Sequence, residues 1–367
     1  CDVRNAVVVP NTGDGLAVKG WGADASVVEN VVMHHTFTAL QLGGEVTVRD
    51  VAIFDVIDKE RGQNFFTDLW PAASGVVFYG GYQRGGCGRA SVNNVAVAGS
   101  VGPGITFAGG GFCFPDGHFG GLTFHGVQHG FTVKGTVRSH DPNGVVRGFT
   151  AWNVRDIGIW GYNAGDLPVI AGVIIANAKD GLVWSNLGPD PTEHEVRRQR
   201  LTIRDSAFVG QTVHGARRCF DEQAAILLPV TNSLGFGISP EQCGPIGGGA
   251  KFGVYGPSHP TGSYPTLAFE TRVTRVGFYG YGGAGCEGMS RLIAPLMGGG
   301  MDSSDAISPI FFSQTRVDAV SRAALAYLKP PKRSWIKPGK CVVMDCDGPK
   351  HAFAVDLDGS LTGLGER

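Results

Sequence analysis

Gly130-Phe131-Thr132-Val133-Lys134-Gly135 has the outline of Gly15-Leu16-Ala17-Val18-Lys19-Gly20. Related strings are Ala39-Leu40-Gln41-Leu42-Gly43, Gly104-Ile105-Thr106-Phe107-Ala108, Gly158-Ile159-Trp160-Gly161 and Gly181-Leu182-Val183-Trp184. Each follows a first apolar run, such as Arg4-Asn5-Ala6-Val7-Val8-Val9, Glu29-Asn30-Val31-Val32-Met33 or Asn93-Asn94-Val95-Ala96-Val97. Aligned on Leu16, Leu40, Ile105, Phe131, Ile159 and Leu182, the steps are 24, 65, 26, 28 and 23 residues. Four of the five fall in one narrow band. Each unit reads as two short strands of period-2 alternation with a polar turn between them. Such a period suits one coil of a parallel β-helix, in which each side chain stacks on its equivalent about 4.8 Å away. Gly and Asn would take the left-handed corners, including those beside Leu16, Ile105, Phe131, Ile159 and Leu182. The leucine-rich repeat frame is missing, and a β-sandwich is the competing architecture.

The fold expected is therefore all-β: a right-handed parallel β-helix (solenoid) with long loop insertions. One domain would span residues 1–367, with insertions at about 56–90, 186–200, 232–262 and 281–306. Weaker strands continue the pattern at Leu201–Phe208, Leu267–Val273, Ile310–Val317, Cys341–Met344 and Ala352–Val355. The Gly/Pro-rich connections between them are too long for bare turns and are the places where function would concentrate.

Composition agrees. Gly is 58 of 367 residues, more than twice its usual share of about 7%. It follows no strict three-residue period, which excludes collagen. Apolar residues at 43% with 21 Phe exclude disorder. The 31 basic and 32 acidic residues balance to a net charge of −1, which leaves no electrostatic footprint for nucleic acid or anionic lipid. No run of 18 apolar residues occurs, so no transmembrane segment is expected in this chain. Eight cysteines suit a secreted protein with disulfides, although buried thiols in a cytosolic protein would give the same count. A start at Cys1, without Met, reads as a fragment of a larger extracellular protein. No N-x-[ST] sequon is present.

Several strings could carry chemistry. Ala352–Thr362 matches an aspartyl-nucleophile phosphatase motif locally, but the body of such an enzyme would have to follow it. Asp345, Asp347, Asp356 and Asp358 could gather oxygen ligands, and calcium is the ion they would suit. The EF-hand frame is absent, and a capped Asp/Gly-rich turn at a coil corner is the plainer reading. Cys341 and Cys346, five apart across a turn, are disulfide candidates. His34 and His35 are adjacent, and His125 and His129 are four apart, which on a strand puts the latter pair on one face. Without a zinc companion they read as surface or turn residues. His214, Arg217, Arg218, Asp221 and Glu222 form the best patch for recognising or cleaving an acidic glycan. Trp152, Trp160, Tyr162 and Trp184, if exposed, could stack on sugar rings.

The run Lys340-Cys341-Val342-Val343-Met344-Asp345-Cys346-Asp347-Gly348-Pro349-Lys350-His351, with Asp356-Leu357-Asp358-Gly359-Ser360-Leu361-Thr362-Gly363, resembles the fibrocystin-like family. Asn30-Val31-Val32-Met33-His34 and Gly181-Leu182 look like the same β-helix region. The resemblance spans nearly the whole chain and rests mainly on the C-terminal forty or so residues. It implies a large extracellular protein of a glycoprotein family, at the cell surface or ciliary membrane, with this region following a G8 domain. A related branch degrades hyaluronan, but its catalytic residues match no positions here. The function expected is a non-enzymatic rigid spacer and adhesion or ligand-binding module. Its partners would be neighbouring domains or subunits of a surface assembly and glycans. The alternative is a polysaccharide-degrading enzyme, hyaluronidase- or lyase-like, with a groove on one β-helix face.

Overall fold

The computed structural model describes residues 2–9, 16–20, 26–57, 74–79, 88–108, 112–113, 119–134, 145–162, 169–185, 199–210, 223–228, 236–237, 253–254, 269–281, 290–295, 310–323, 354–361 and 363. These form an almost all-β molecule built on two long parallel sheets. The chain alternates between them. In the 16-stranded sheet A, Asp2–Val8 pairs with Ser26–His34, that with Val46–Val56, and so on to Ala354–Asp356. The nine-stranded sheet B keeps step from Leu16–Gly20 to Ser290–Pro295. Among the described residues the only helix is Ala319–Ala323, and none is long and apolar enough to cross a membrane.

The register of sheet B follows the sequence alignment. Leu16 faces Leu40, Ile105 faces Phe131, Phe131 faces Ile159, and Ile159 faces Leu182. One rung is added. Leu40 and Ile105 are not neighbours, because Val76 of Ser74–Tyr79 lies between them. The insertion expected at about 56–90 therefore contains a core strand. That expected at 281–306 likewise contains Ser290–Pro295, and that at 232–262 holds the antiparallel pair Phe236–Gly237 and Gly253–Val254.

Each long sheet A strand is bent by a residue in the left-handed region. The bend runs through successive rungs as Asn5, Asn30, Asp50, Asn94, Gly121, Gly148, Gly172, Asp205, Arg275 and Gln314, with φ between 52° and 64°. A second ladder, including His35, Asp55, Gly99, Gly126, Asn153 and Asn177, turns the chain out of sheet A. Asn and Asp tolerate this conformation better than other side chains. The rungs therefore present two sheet A faces, before and after the first bend, and a third face on sheet B.

The glycines beside Ile105, Phe131, Ile159 and Leu182 are not left-handed corners. Gly104, Gly130, Gly158 and Gly181 lack positive φ. A Cβ at any of them would collide with the facing sheet A column (Phe124, Ala151, Ile175 and Phe208, respectively) or with the next rung's backbone. They are glycines because the two sheets touch there. The core between the sheets is a stack of rings. Phe78 lies on Phe107 at 4.9 Å, Phe131 on Phe149 at 5.4 Å, and Phe208 on Phe278 at 5.7 Å.

Candidate functional site

The outward positions decide where a ligand could sit. In the middle of sheet B both sides are covered. Val76 and Val77 are buried together, as are Ile105 and Thr106, Phe131 and Thr132, and Ile159 and Trp160. This is the pattern of a strand enclosed on both faces. Sheet A differs: Val31 and Met33 are buried, whereas Val32 and His34 are exposed. Its outer surface is open on both sides of the first bend.

Before the bend, that surface is charged. Glu29 lies between Arg4 and Arg49 on adjacent rungs, with Oε2 3.8 Å from Arg4 Nε and Oε1 2.7 Å from Arg49 Nη2. Arg147 and Arg204 occupy the same side, both in register with Ala171. At the bend, the Arg275 guanidinium donates to both Asp205 oxygens, at 2.6 and 3.0 Å. That hydrogen bond, with the charges of Arg275, Arg204 and Arg147, holds the Asp205 carboxyl below its usual range. Charges on this face answer one another.

After the bend, the surface carries little charge. One outward column runs Val7, Val32, Ala52, Ala96, Thr123, Thr150, Ile174, Ala207 and Gly277. The next runs His34, Phe54, Ala98, His125, Trp152, Ala176, Val209 and Tyr279. Over these rungs neither contains Asp, Glu, Lys or Arg, and the next rung places the exposed Arg316 opposite Gly277. Phe54 is 42% exposed and Tyr279 37%. Trp152 is half-buried beside His125, with ring centroids 5.0 Å apart. Asn177 Nδ2 donates to Asn153 Oδ1 at 3.3 Å, and the Asn153 amide is hydrogen-bonded to His125 Nε2 at 3.2 Å.

The remaining predicted residues scatter. Trp160 is 4% exposed and packs on His129 at 5.2 Å, so it is not a surface ring for stacking on sugars. His125 and His129 do not share a face, because Gly126, at φ 60°, turns the chain between them. His125 stays on the outer surface, while His129 is 1% exposed. Burial, aided by the Arg155 charge, lowers the His129 pKa to about 3 and keeps the ring neutral. Tyr162 and Trp184 lie on adjacent sheet B strands, opposite Ser185 and Gly161. Asp356 closes a strand opposite Phe312.

Asp358 forms the capped turn expected of it. Its Oδ2 accepts from Gln314 N at 2.7 Å and its Oδ1 from Ser360 N at 3.1 Å. Burial opposes its charge, but the Ser360 and Gln314 hydrogen bonds prevail and lower its pKa. His214, Arg217, Arg218, Asp221, Glu222, Cys341, Cys346, Asp345 and Asp347 lie outside the described residues. Among the described residues, no group of three His, Cys, Asp or Glu is placed to hold a metal. Phe54 and Tyr279 escaped the sequence reading, since neither belongs to a motif. The available signal was their outward parity in strands already recognised. Comparison with protein-family models, curated proteins and solved structures gives no match to this chain.

Proposed function

We propose that the chain is a right-handed parallel β-helix from a fibrocystin-like extracellular protein. It would serve as a stiff spacer and offer one face for adhesion or ligand binding. What carries the reading is the unbroken parallel order of sheet A from Asp2–Val8 to Ala354–Asp356, with sheet B in step. Such a stack resists bending and extension because each rung is hydrogen-bonded to the next along its length. The hand follows from the near-universal right-handedness of parallel crossovers. Placement at a cell or ciliary surface, among neighbouring domains or subunits, rests on the C-terminal resemblance. The separation of a self-paired charged face from a largely uncharged one supports recognition by a surface rather than by a catalytic cleft.

Two measurements on the full chain test this. Pulled between handle domains in single-molecule force spectroscopy, it should yield in discrete high-force steps, and smooth low-force extension would overturn the spacer role. Incubated with hyaluronan or pectin, it should leave polymer length unchanged, and shortening beyond a heat-inactivated control would overturn the non-enzymatic reading.

A further inference from the structure

Phe54, Trp152 and Tyr279 stand in one outward column with even spacing. Ala98 and His125 separate the first two, and Ala176 and Val209 separate the last two. Each interval is three rungs, or about 14 Å at about 4.8 Å per rung. Ala98 and Ala176 leave shallow saddles beside Phe54 and Trp152.

Tyr279 shows how such a ring lies. A Cβ added to Gly277, two residues earlier, would sit 2.5 Å from Tyr279 Cε2 and 2.6 Å from its hydroxyl. The hydroxyl-bearing edge of the ring therefore lies over Gly277, while the side chain stays partly exposed. Gly277 is buried beneath it. A flat, exposed aromatic face is a platform for the C–H side of a sugar ring, and its hydroxyl provides a polar handle. The His125 ring, 5.0 Å from Trp152, adds a polar group beside it.

We propose that this largely uncharged face binds a neutral, extended polysaccharide lying along the stack, with Phe54, Trp152 and Tyr279 as stacking platforms. The inference rests on the ligand-binding part of the proposed function and names its ligand class. Shape argues against a globular partner or a second copy. Two outward residues per rung over nine rungs make a strip about 40 Å long and about 10 Å wide. That is about 400 Å², half of the roughly 800 Å² each partner gives to a standard protein interface. A linear polymer needs only such a strip. Charge argues against an acidic polymer, because a single cation, Arg316 at the end of one column, adjoins the strip and the arginine ladder lies across the bend. One strand spacing is also close to the length of one sugar residue in an extended chain.

Affinity electrophoresis of the full chain through hydroxyethylcellulose, galactomannan and xyloglucan tests the proposal, with hyaluronan and pectin as charged controls. Retardation by at least one neutral polymer, unchanged at high salt, is expected. Trp152→Ala should weaken it about tenfold, with Phe54→Ala and Tyr279→Ala weakening it less, and Trp152→Phe should keep most of it. Gly277→Ala displaces only the Tyr279 ring, so it should weaken binding without lowering the melting temperature much, even if Trp152→Ala fails to fold. The proposal is overturned if no neutral polymer retards the chain, or if only hyaluronan or pectin does. It is also overturned if folded variants bind like wild type, or if Trp152→Ala instead abolishes a dimer. None of these outcomes touches the spacer role, which force spectroscopy reads separately.

Discussion

Ile175 occupies the space that a side chain at Gly158 would need. A Cβ there would lie 2.5 Å from Ile175 Cγ2 and 2.7 Å from the Gly181 carbonyl oxygen. Neither neighbour can retreat, since Ile175 is a core residue and Gly181 belongs to the adjacent rung. Gly158→Ala should therefore destabilise by about 1–3 kcal/mol, the usual penalty of overpacking. Gly148 makes the contrast. Its φ is +61° and the nearest atom to an added Cβ is 3.9 Å away. Gly148→Asn should cost less than about 1 kcal/mol, because Asn tolerates this conformation. Denaturant midpoints of the two variants would separate close approach from backbone strain. Equal losses would refute the distinction.

The first bend gives a second prediction. Asn94, at φ 52°, donates from Nδ2 to Asp50 Oδ1 on the preceding rung at 2.6 Å. Asn94→Gly keeps the backbone and loses one exposed hydrogen bond, so it should cost no more than about 1 kcal/mol. Asn94→Val forces a β-branched residue into the left-handed region and should cost about 2 kcal/mol. Thermal melts should rank wild type and Gly close together, with Val well below. A Val variant as stable as Gly would show that the bend imposes no strain.

His129 makes stability depend on pH. Burial, with the Arg155 charge, depresses its pKa from 6.5 to about 3 in the folded state. The unfolded chain thus binds one more proton than the folded chain between these values. The stabilisation is fully present above pH 6.5 and is lost as pH falls toward 3. The slope in that window is about 1.4 kcal/mol per pH unit for one proton. His129→Gln should flatten the stability profile by that amount below about pH 6.5 relative to wild type. Parallel profiles would mean that His129 titrates normally.

Much of the fold was legible because its signal is local and repeated. Leu16, Leu40, Phe131, Ile159 and Leu182 share a string, and the register of sheet B places them in one column. Val76 was not legible. Its strand is set among the Gly- and aromatic-rich residues between Leu40 and Ile105, where no repeat marks it. The glycines beside Ile105 and Phe131 were assigned the wrong reason, because sequence does not distinguish a glycine needed for φ from one needed for space. The largely uncharged face was hidden for another reason. Phe54 and Tyr279 meet through rung count, and insertions of unequal length separate rungs that are close in space. The His125–His129 pair failed because strand parity does not survive a left-handed residue such as Gly126.

The one helix is tied to the preceding rung of sheet A by an aspartate. Asp318 precedes the helix Ala319–Ala323, and its Oδ1 accepts from Ser321 N at 2.7 Å, the bond of an N-cap. Its Oδ2 accepts from Gly280 N at 2.8 Å, on the rung before. Ser321 completes the link, its Oγ accepting from the buried Tyr281 N at 2.9 Å. Asp318→Ala removes the cap and the Gly280 bond together and should cost about 1–2 kcal/mol. Asp318→Asn keeps one acceptor and should cost roughly half as much. Ser321→Ala leaves the Tyr281 amide without this acceptor, at about 1–3 kcal/mol. Because both side chains fasten the same helix to the same turn, the double variant should lose less than the sum of the singles. Strict additivity in melts, or unchanged hydrogen exchange at Gly280 and Tyr281, would show that the helix is not the clasp of this rung.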